Sequence, residues 1–109
     1  MQFDSVVLRV FDVRARPGKA GVLKRKLADT SVSVVQGEPG NLGYFFGATV
    51  STDENDLVFI SVWQDLESIQ QRFGKDWERS FLPEGYEELI ETCSVRHLRC
   101  DGEVARQPA

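Results

Sequence analysis

Few residues in this chain have side chains that do chemistry near neutral pH. His97 is the single histidine, the one side chain whose ordinary pKa lies there. It falls in strand-like sequence, in phase with Val95 and Arg99. That placement suits a half-exposed structural histidine, with proton transfer as the more specific alternative. Cys93 and Cys100 are the two cysteines, seven residues apart in the same segment. An odd separation in one strand puts them on opposite faces, too badly aimed to bond, so both are expected as free thiols. No His, Cys and carboxylate cluster has ligand spacing, so no metal site is expected. Arg9 interrupts an apolar strand. Its planar guanidinium suits an ion pair with Asp or Glu across the sheet, or contact with a ligand anion; the ion pair is the plainer expectation. Tyr86 can offer a hydroxyl to a pocket, or simply share an apolar stripe with Leu89 and Ile90. No phosphate loop, dinucleotide fingerprint, nucleophile elbow or His-Glu-x-x-His motif occurs.

The aromatic residues carry a stronger signal. There are 7 Phe, 2 Tyr and 2 Trp in 109 residues. Leu57 to Trp63 reads LVFISVW and Asn41 to Thr52 reads NLGYFFGATVST, two β-branched and aromatic strands. Asp53-Glu54-Asn55-Asp56 between them is turn-like, so the pair reads as a hairpin. A three-residue loop pairs 52 with 56. Phe45, Gly47 and Thr49 then share a face with Phe59, Ser61 and Trp63. Rings beside small residues leave room for a small apolar or aromatic molecule. Phe73 and Trp77, four residues apart, can close that space from a helical segment. The substrate-binding candidates are therefore Trp63, Phe59, Phe45, Phe73 and Trp77. The same rings would equally serve an ordinary core. No catalytic residue is singled out.

The elements that must position these rings follow from periodicity. Ser5 to Val13 is a strand. Pro17 suits the first turn of a helix over about residues 18–36, with Ala20, Leu23, Leu27, Ser31 and Val34 as its apolar stripe; Gly37-Glu38-Pro39-Gly40 ends it. Asp65 caps a second helix, with Glu67 in its first turn and Leu66, Ile69 and Phe73 as its stripe. A short helical piece follows at 77–81, then one or two turns around Tyr86, Leu89 and Ile90. Cys93 to Arg99 is the last strand. The order β-α-β-β-α-β predicts an α+β, ferredoxin-like domain over residues 1–101, a four-stranded antiparallel sheet with both helices on one face. Residues 102–109 read as a flexible tail.

Both faces of the hairpin are apolar, with Val50, Val58, Ile60 and Val62 on the side away from the rings. Two helices cover one face only. The other would leave an apolar patch larger than monomers expose. A homodimer joined sheet to sheet is expected, burying on the order of 1,500 Å2 or more; a monomer with an unusually apolar hairpin is the alternative. The net charge of -4, with no concentrated basic face, argues against nucleic acid. No stretch is long and apolar enough to span a membrane. No signal peptide is read at the N-terminus, and a cytoplasmic location is expected.

Glu38-Pro39-Gly40-Asn41-Leu42-Gly43-Tyr44 and Phe59-Ile60-Ser61-Val62-Trp63-Gln64-Asp65-Leu66-Glu67-Ser68-Ile69 resemble the entry to the second strand, and the third strand with its following helix, of the antibiotic biosynthesis monooxygenase family. The resemblance covers about residues 5–100. It implies a dimeric α+β barrel and oxygenation of quinol-like or polyketide aromatic substrates with no metal, flavin or haem. The deprotonated substrate itself would reduce dioxygen, the protein supplying a dry pocket, orientation and a proton acceptor. Trp63 falls on the family's pocket-lining Trp. Phe59 stands where an antibiotic-pathway member has Asn, and Ile69 where it has Tyr. The haem-degrading branch has a His near Leu82 and an Asn at the place of Phe11; neither is present, and Gln70 to Phe73 offers no His. Three functions therefore stand open. They are a cofactor-independent monooxygenase acting on a bulky aromatic, a non-catalytic dimer that binds a small molecule, and a haem binder or degrader using His97.

Overall fold

A computed structural model describes residues 6–50 and 53–100. The chain runs β1 (Val7–Ala15), α1 (Ala20–Lys26), a π-helical stretch (Leu27–Ser31), α2 (Val32–Val35), β2 (Asn41–Ala48), β3 (Asp56–Trp63), α3 (Leu66–Phe73), a 3-10 turn (Gly74–Asp76) and β4 (Ile90–Arg99). The strands form one antiparallel sheet in the order β2-β3-β1-β4. The fold is α+β and ferredoxin-like. No helix of the described residues is long and apolar enough to cross a membrane. The expected tail over 102–109, Ser5 of the expected first strand, and Ser51 and Thr52 of the expected second strand lie outside the described residues.

Alternation sorts β1 cleanly. Val7, Phe11, Val13 and Ala15 join Leu57, Phe59 and Trp63 of β3 in the core. Leu23 and Leu27 from the first helical segment, Val32 and Val35 beyond it, and Ile69 of α3 cover them. The expected stripe of the first helix faces inward along its length, with Leu23, Leu27 and Ser31 buried and Ala20 and Val34 partly buried. The π-helical stretch then adds a residue to the turn, and Val32 and Val35 enter the core beside the partly buried Val34. Tyr86 holds this wider turn. Its hydroxyl donates to the Lys26 carbonyl at 2.9 Å and accepts from the Ser31 hydroxyl at 2.7 Å.

Asp65 caps α3 as its sequence position predicts: Oδ1 accepts from the Ser68 backbone N–H at 2.8 Å and from Ser68 Oγ at 2.7 Å. These bonds hold its carboxyl below the usual range. Gly40 packs directly over that cap. Its φ is +85°, and a Cβ there would lie 2.1 Å from Ser68 Oγ, so only glycine admits the chain from α2 into β2.

Four expectations need correction. Pro17 lies in a turn before α1, where Lys19 N–H bonds the Arg16 carbonyl at 2.9 Å, and not in its first turn. Residues 77–81 and 86–89 form turns and irregular chain rather than helix, and β4 begins at Ile90. Strand β2 ends at Ala48. The hairpin also has a different register. Ala48 pairs with Leu57, Phe46 with Phe59 and Tyr44 with Ser61. The loop is longer than three residues, and Arg14 of β1 bonds its acidic end, Asp56 at 2.9 Å and Asp53 at 3.1 Å. An odd shift turns every β2 side chain over. Tyr44 and Phe46 stack on Phe59, each with centroids 6.2 Å apart, while Phe45 moves to the opposite face, opposite Ile60.

Candidate functional site

A cleft opens between the helix-facing side of the sheet and its covering segments. Arg9 and Phe11 of β1, Phe59 and Ser61 of β3 and Val95 of β4 form its floor. Ser31, Val34 and Val35 line one wall; Phe73, Phe81 and Pro83 line the other. It is narrow, a cavity of about 40 Å3, room for a few waters. Almost everything facing it is apolar.

Besides the hydroxyls of Ser31 and Ser61, the polar group is Arg9, which alone of the lining residues is charged. It is 5% exposed, yet among the described residues no carboxylate pairs with it. The expected ion pair is absent. Nη1 instead donates to the Trp77 carbonyl and meets His97 Nε2 at 3.1 Å, and Nη2 donates to the Arg79 carbonyl at 2.9 Å. The guanidinium lies over the Phe73 ring, 3.8 Å from its centroid, a cation–π contact. Burial, and secondarily the nearby Arg72 charge, lowers its pKa to about 10, so it remains a cation at neutral pH. Irregular chain between the 3-10 turn and β4 supplies both carbonyls, which is why no strand or helix pattern reveals them.

His97 stands beside Arg9 because the two are cross-strand partners of β1 and β4. Its ring meets Trp77 edge to face, centroids 5.0 Å apart. To accept from a guanidinium, Nε2 must be unprotonated. Burial, then the Arg9 charge, pushes its pKa below the ordinary value, which agrees.

The expected site residues separate into three groups. Phe59 and Phe73 line the cleft. Trp63 and Trp77 stand one layer behind it. Trp63 is 0% exposed; its indole N–H donates to Ser61 Oγ at 2.8 Å and its ring meets Phe73 edge-on, centroids 6.0 Å apart. Trp77 holds Arg9 through its carbonyl. Phe45 is not part of the cleft: the register shift places it on the far face, 67% exposed. The pattern did not reveal Phe11, Val95, Ser31, Phe81 and Pro83. Phe11 and Val95 stand two residues from Arg9 and His97 on the same strand faces, a signal that strand phase contains. Phe81 and Pro83 sit in irregular chain and give none. Cys93 and Cys100 are free. Among the described residues no cluster of His, Cys, Asp and Glu is placed to hold a metal ion.

Comparison with known proteins places the fold. The family model for antibiotic biosynthesis monooxygenase matches residues 6–76. No curated protein sequence matches. Among solved structures, a protein of Pseudomonas aeruginosa is similar with a TM-score of 0.68 and 22% identity, over 90% of this chain and 96% of that one. SnoaB, a cofactor-independent oxygenase from Streptomyces nogalater, solved as a point mutant, is similar with a TM-score of 0.65 and 17% identity, over 95% and 96%. A Mycobacterium tuberculosis protein gives 0.63 and 19%, over 86% and 93%.

Proposed function

Given that the chain belongs to the antibiotic biosynthesis monooxygenase family, we propose that it is a cofactor-independent monooxygenase acting on an aromatic, quinol-like molecule in the cleft between sheet and helices. The observation that carries this is the cleft itself, a phenylalanine-walled slot with one buried cation on its floor. SnoaB, a cofactor-independent oxygenase of the same fold, supports the reaction class. In the simplest case, an anthrone, the substrate first loses a C–H proton. The resulting anion gives an electron to dioxygen, and the two radicals combine at that carbon. The CH2 group becomes a carbonyl with one oxygen atom; the other leaves as water with the two hydrogens. The substrate carbon is oxidised and dioxygen is reduced, so electrons balance without another donor. Apolar walls keep water from the reactive anion. Phe81, on the rim, and Pro83 must swing outward to admit a tricyclic ring.

The reading includes a homodimer. The far face of the sheet carries Leu8, Val10, Phe45, Ile60, Val62 and Leu98, with Phe45 67% and Leu98 44% exposed. A second copy covering this face would leave the cleft free.

A second reading is a dimer that binds an aromatic molecule without transforming it. The small cavity favours it, as does a lining that holds no carboxylate or imidazole among the described residues. Oxygen uptake with anthrone or a dihydroquinone in chelator-treated buffer separates the two. Uptake that rises with protein, and falls at least about tenfold in Trp63→Ala, supports the oxygenase. Ligand binding with no uptake supports the binder. Uptake unchanged in Trp63→Ala sinks the cleft as its site.

A further inference from the structure

We infer that Arg9 selects the ligand by charge, so that the cleft takes aromatic molecules carrying an ionised oxygen, a phenolate or enolate, seated on the N–H groups of Arg9 that the protein leaves unused. The inference rests on the cleft being the binding site proposed above and names the class of molecule it holds.

A buried guanidinium is ordinarily neutralised by a carboxylate. The neighbouring arginines follow that rule. Arg14 pairs with Asp53, Asp56 and Glu91, Arg72 with Glu38, and Arg96 with Asp12. Each of these sits in a more exposed position than Arg9. The most buried of the four is the one that, among the described residues, has no anion. Its ring of partners is also incomplete. The Trp77 and Arg79 carbonyls and His97 occupy both Nη1 hydrogens and one on Nη2. Among the described residues nothing accepts from Nε–H or from the other Nη2 hydrogen. Nε–H, with the Nη2 hydrogen that the Arg79 carbonyl does not take, remains to donate to an oxyanion.

The surroundings fit an anion with an aromatic body. The groups facing Arg9 are His97 from β4, held neutral as an acceptor, Arg72 from α3, and two backbone carbonyls. None supplies a negative charge. Phe59 and Phe73 offer ring faces beside it. In so apolar a slot an ionised oxygen gains far more from the cation than it would in water. An uncharged ligand would leave Arg9 buried and unpaired.

The test uses 4-nitrophenol, whose phenolate absorbs in the visible, against its uncharged methyl ether, 4-nitroanisole, with the full chain. Bound 4-nitrophenol is expected to ionise about one pH unit or more below the free dye, equivalent to about tenfold tighter binding of the phenolate than of the phenol. The ether is expected to bind about tenfold more weakly or worse. Arg9→Lys should keep part of the shift and Arg9→Met none. Should Arg9→Met fail to fold, the two probes on the unaltered protein decide alone. Equal binding of both, with an unshifted titration, overturns the role of Arg9 and leaves the cleft as the site. Binding of neither probe overturns the cleft reading and this inference with it.

Discussion

Arg9 and His97 are neighbours across β1 and β4, with Nη1 3.1 Å from Nε2. The contact needs an unprotonated imidazole, because a guanidinium only donates. His97 faces Arg9, and Trp77 packs against its ring; among the described residues no acid stabilises its charged form. Its folded pKa lies below the ordinary value, through burial first and Arg9 second. The unfolded chain therefore takes up a proton, around pH 6.5, that the folded chain refuses. The unfolded state is favoured as pH falls. Stability from this group is complete above that pH and declines as pH drops through it. Urea midpoints from pH 8 to 5.5 should fall, and His97→Gln should flatten the decline. An equally steep decline in His97→Gln would show that the pair does not control it.

Trp63 and Ser61 make a bond within one strand. Both side chains point to the same face, and both are buried. The donor has no solvent to fall back on. Ser61→Ala is expected to cost about 1–3 kcal/mol, the penalty of a buried unpaired N–H. Trp63→Phe removes the donor and leaves a hydroxyl that can turn elsewhere. Trp63→Ala should cost about 3–5 kcal/mol through the lost ring. In a double-mutant cycle Ser61→Ala with Trp63→Phe should cost less than the two changes summed. Strict additivity in thermal unfolding would show that the bond contributes nothing.

Local chemistry was legible where it acts over a few residues. Asp65 announces α3 because its own carboxylate caps the turn that follows. The stop at Gly37 to Gly40 is equally local. Alternation put Phe59 and Phe73 beside one space. The face of β2 was not legible, because turn-like composition at Asp53 to Asp56 does not fix how many residues the loop takes. One residue more or less there exchanges Tyr44 and Phe46 with Phe45. The missing counter-ion of Arg9 was hidden for a similar reason. Its partners are backbone carbonyls of Trp77 and Arg79, and any residue type has a carbonyl. The π-helical stretch is sustained by Tyr86, more than fifty residues further along.

Phe45 and Leu98 give the outer face of the sheet its exposed apolar area. Under the proposed association they are buried against the same face of a second copy, as two-fold contacts require. Sedimentation at micromolar concentration should return twice the 12.3 kDa of one chain. Phe45→Asp should weaken the dimer by about thirtyfold or more, the effect of about 2 kcal/mol at an interface centre. The far side of the sheet from the cleft holds this residue, so ligand binding by the monomer should persist. A single 12.3 kDa species for the unaltered protein would remove the sheet-to-sheet dimer.

Tyr86 supports the cleft from behind. Its hydroxyl satisfies the Lys26 carbonyl and accepts from Ser31, which itself lines the cleft. Tyr86→Phe removes a side-chain donor from the partly buried Lys26 carbonyl and releases the Ser31 hydroxyl. Ser31→Ala leaves the donation to Lys26 intact and removes only a donor to the phenol oxygen. The first change should therefore cost more, about 1–3 kcal/mol against about 1 kcal/mol or less. Backbone amides over residues 27–31 should exchange faster in Tyr86→Phe, since a widened turn that loses its tether opens locally more often. Equal costs for the two substitutions, with amide exchange unchanged, would mean that the helix holds its π-helical turn without Tyr86.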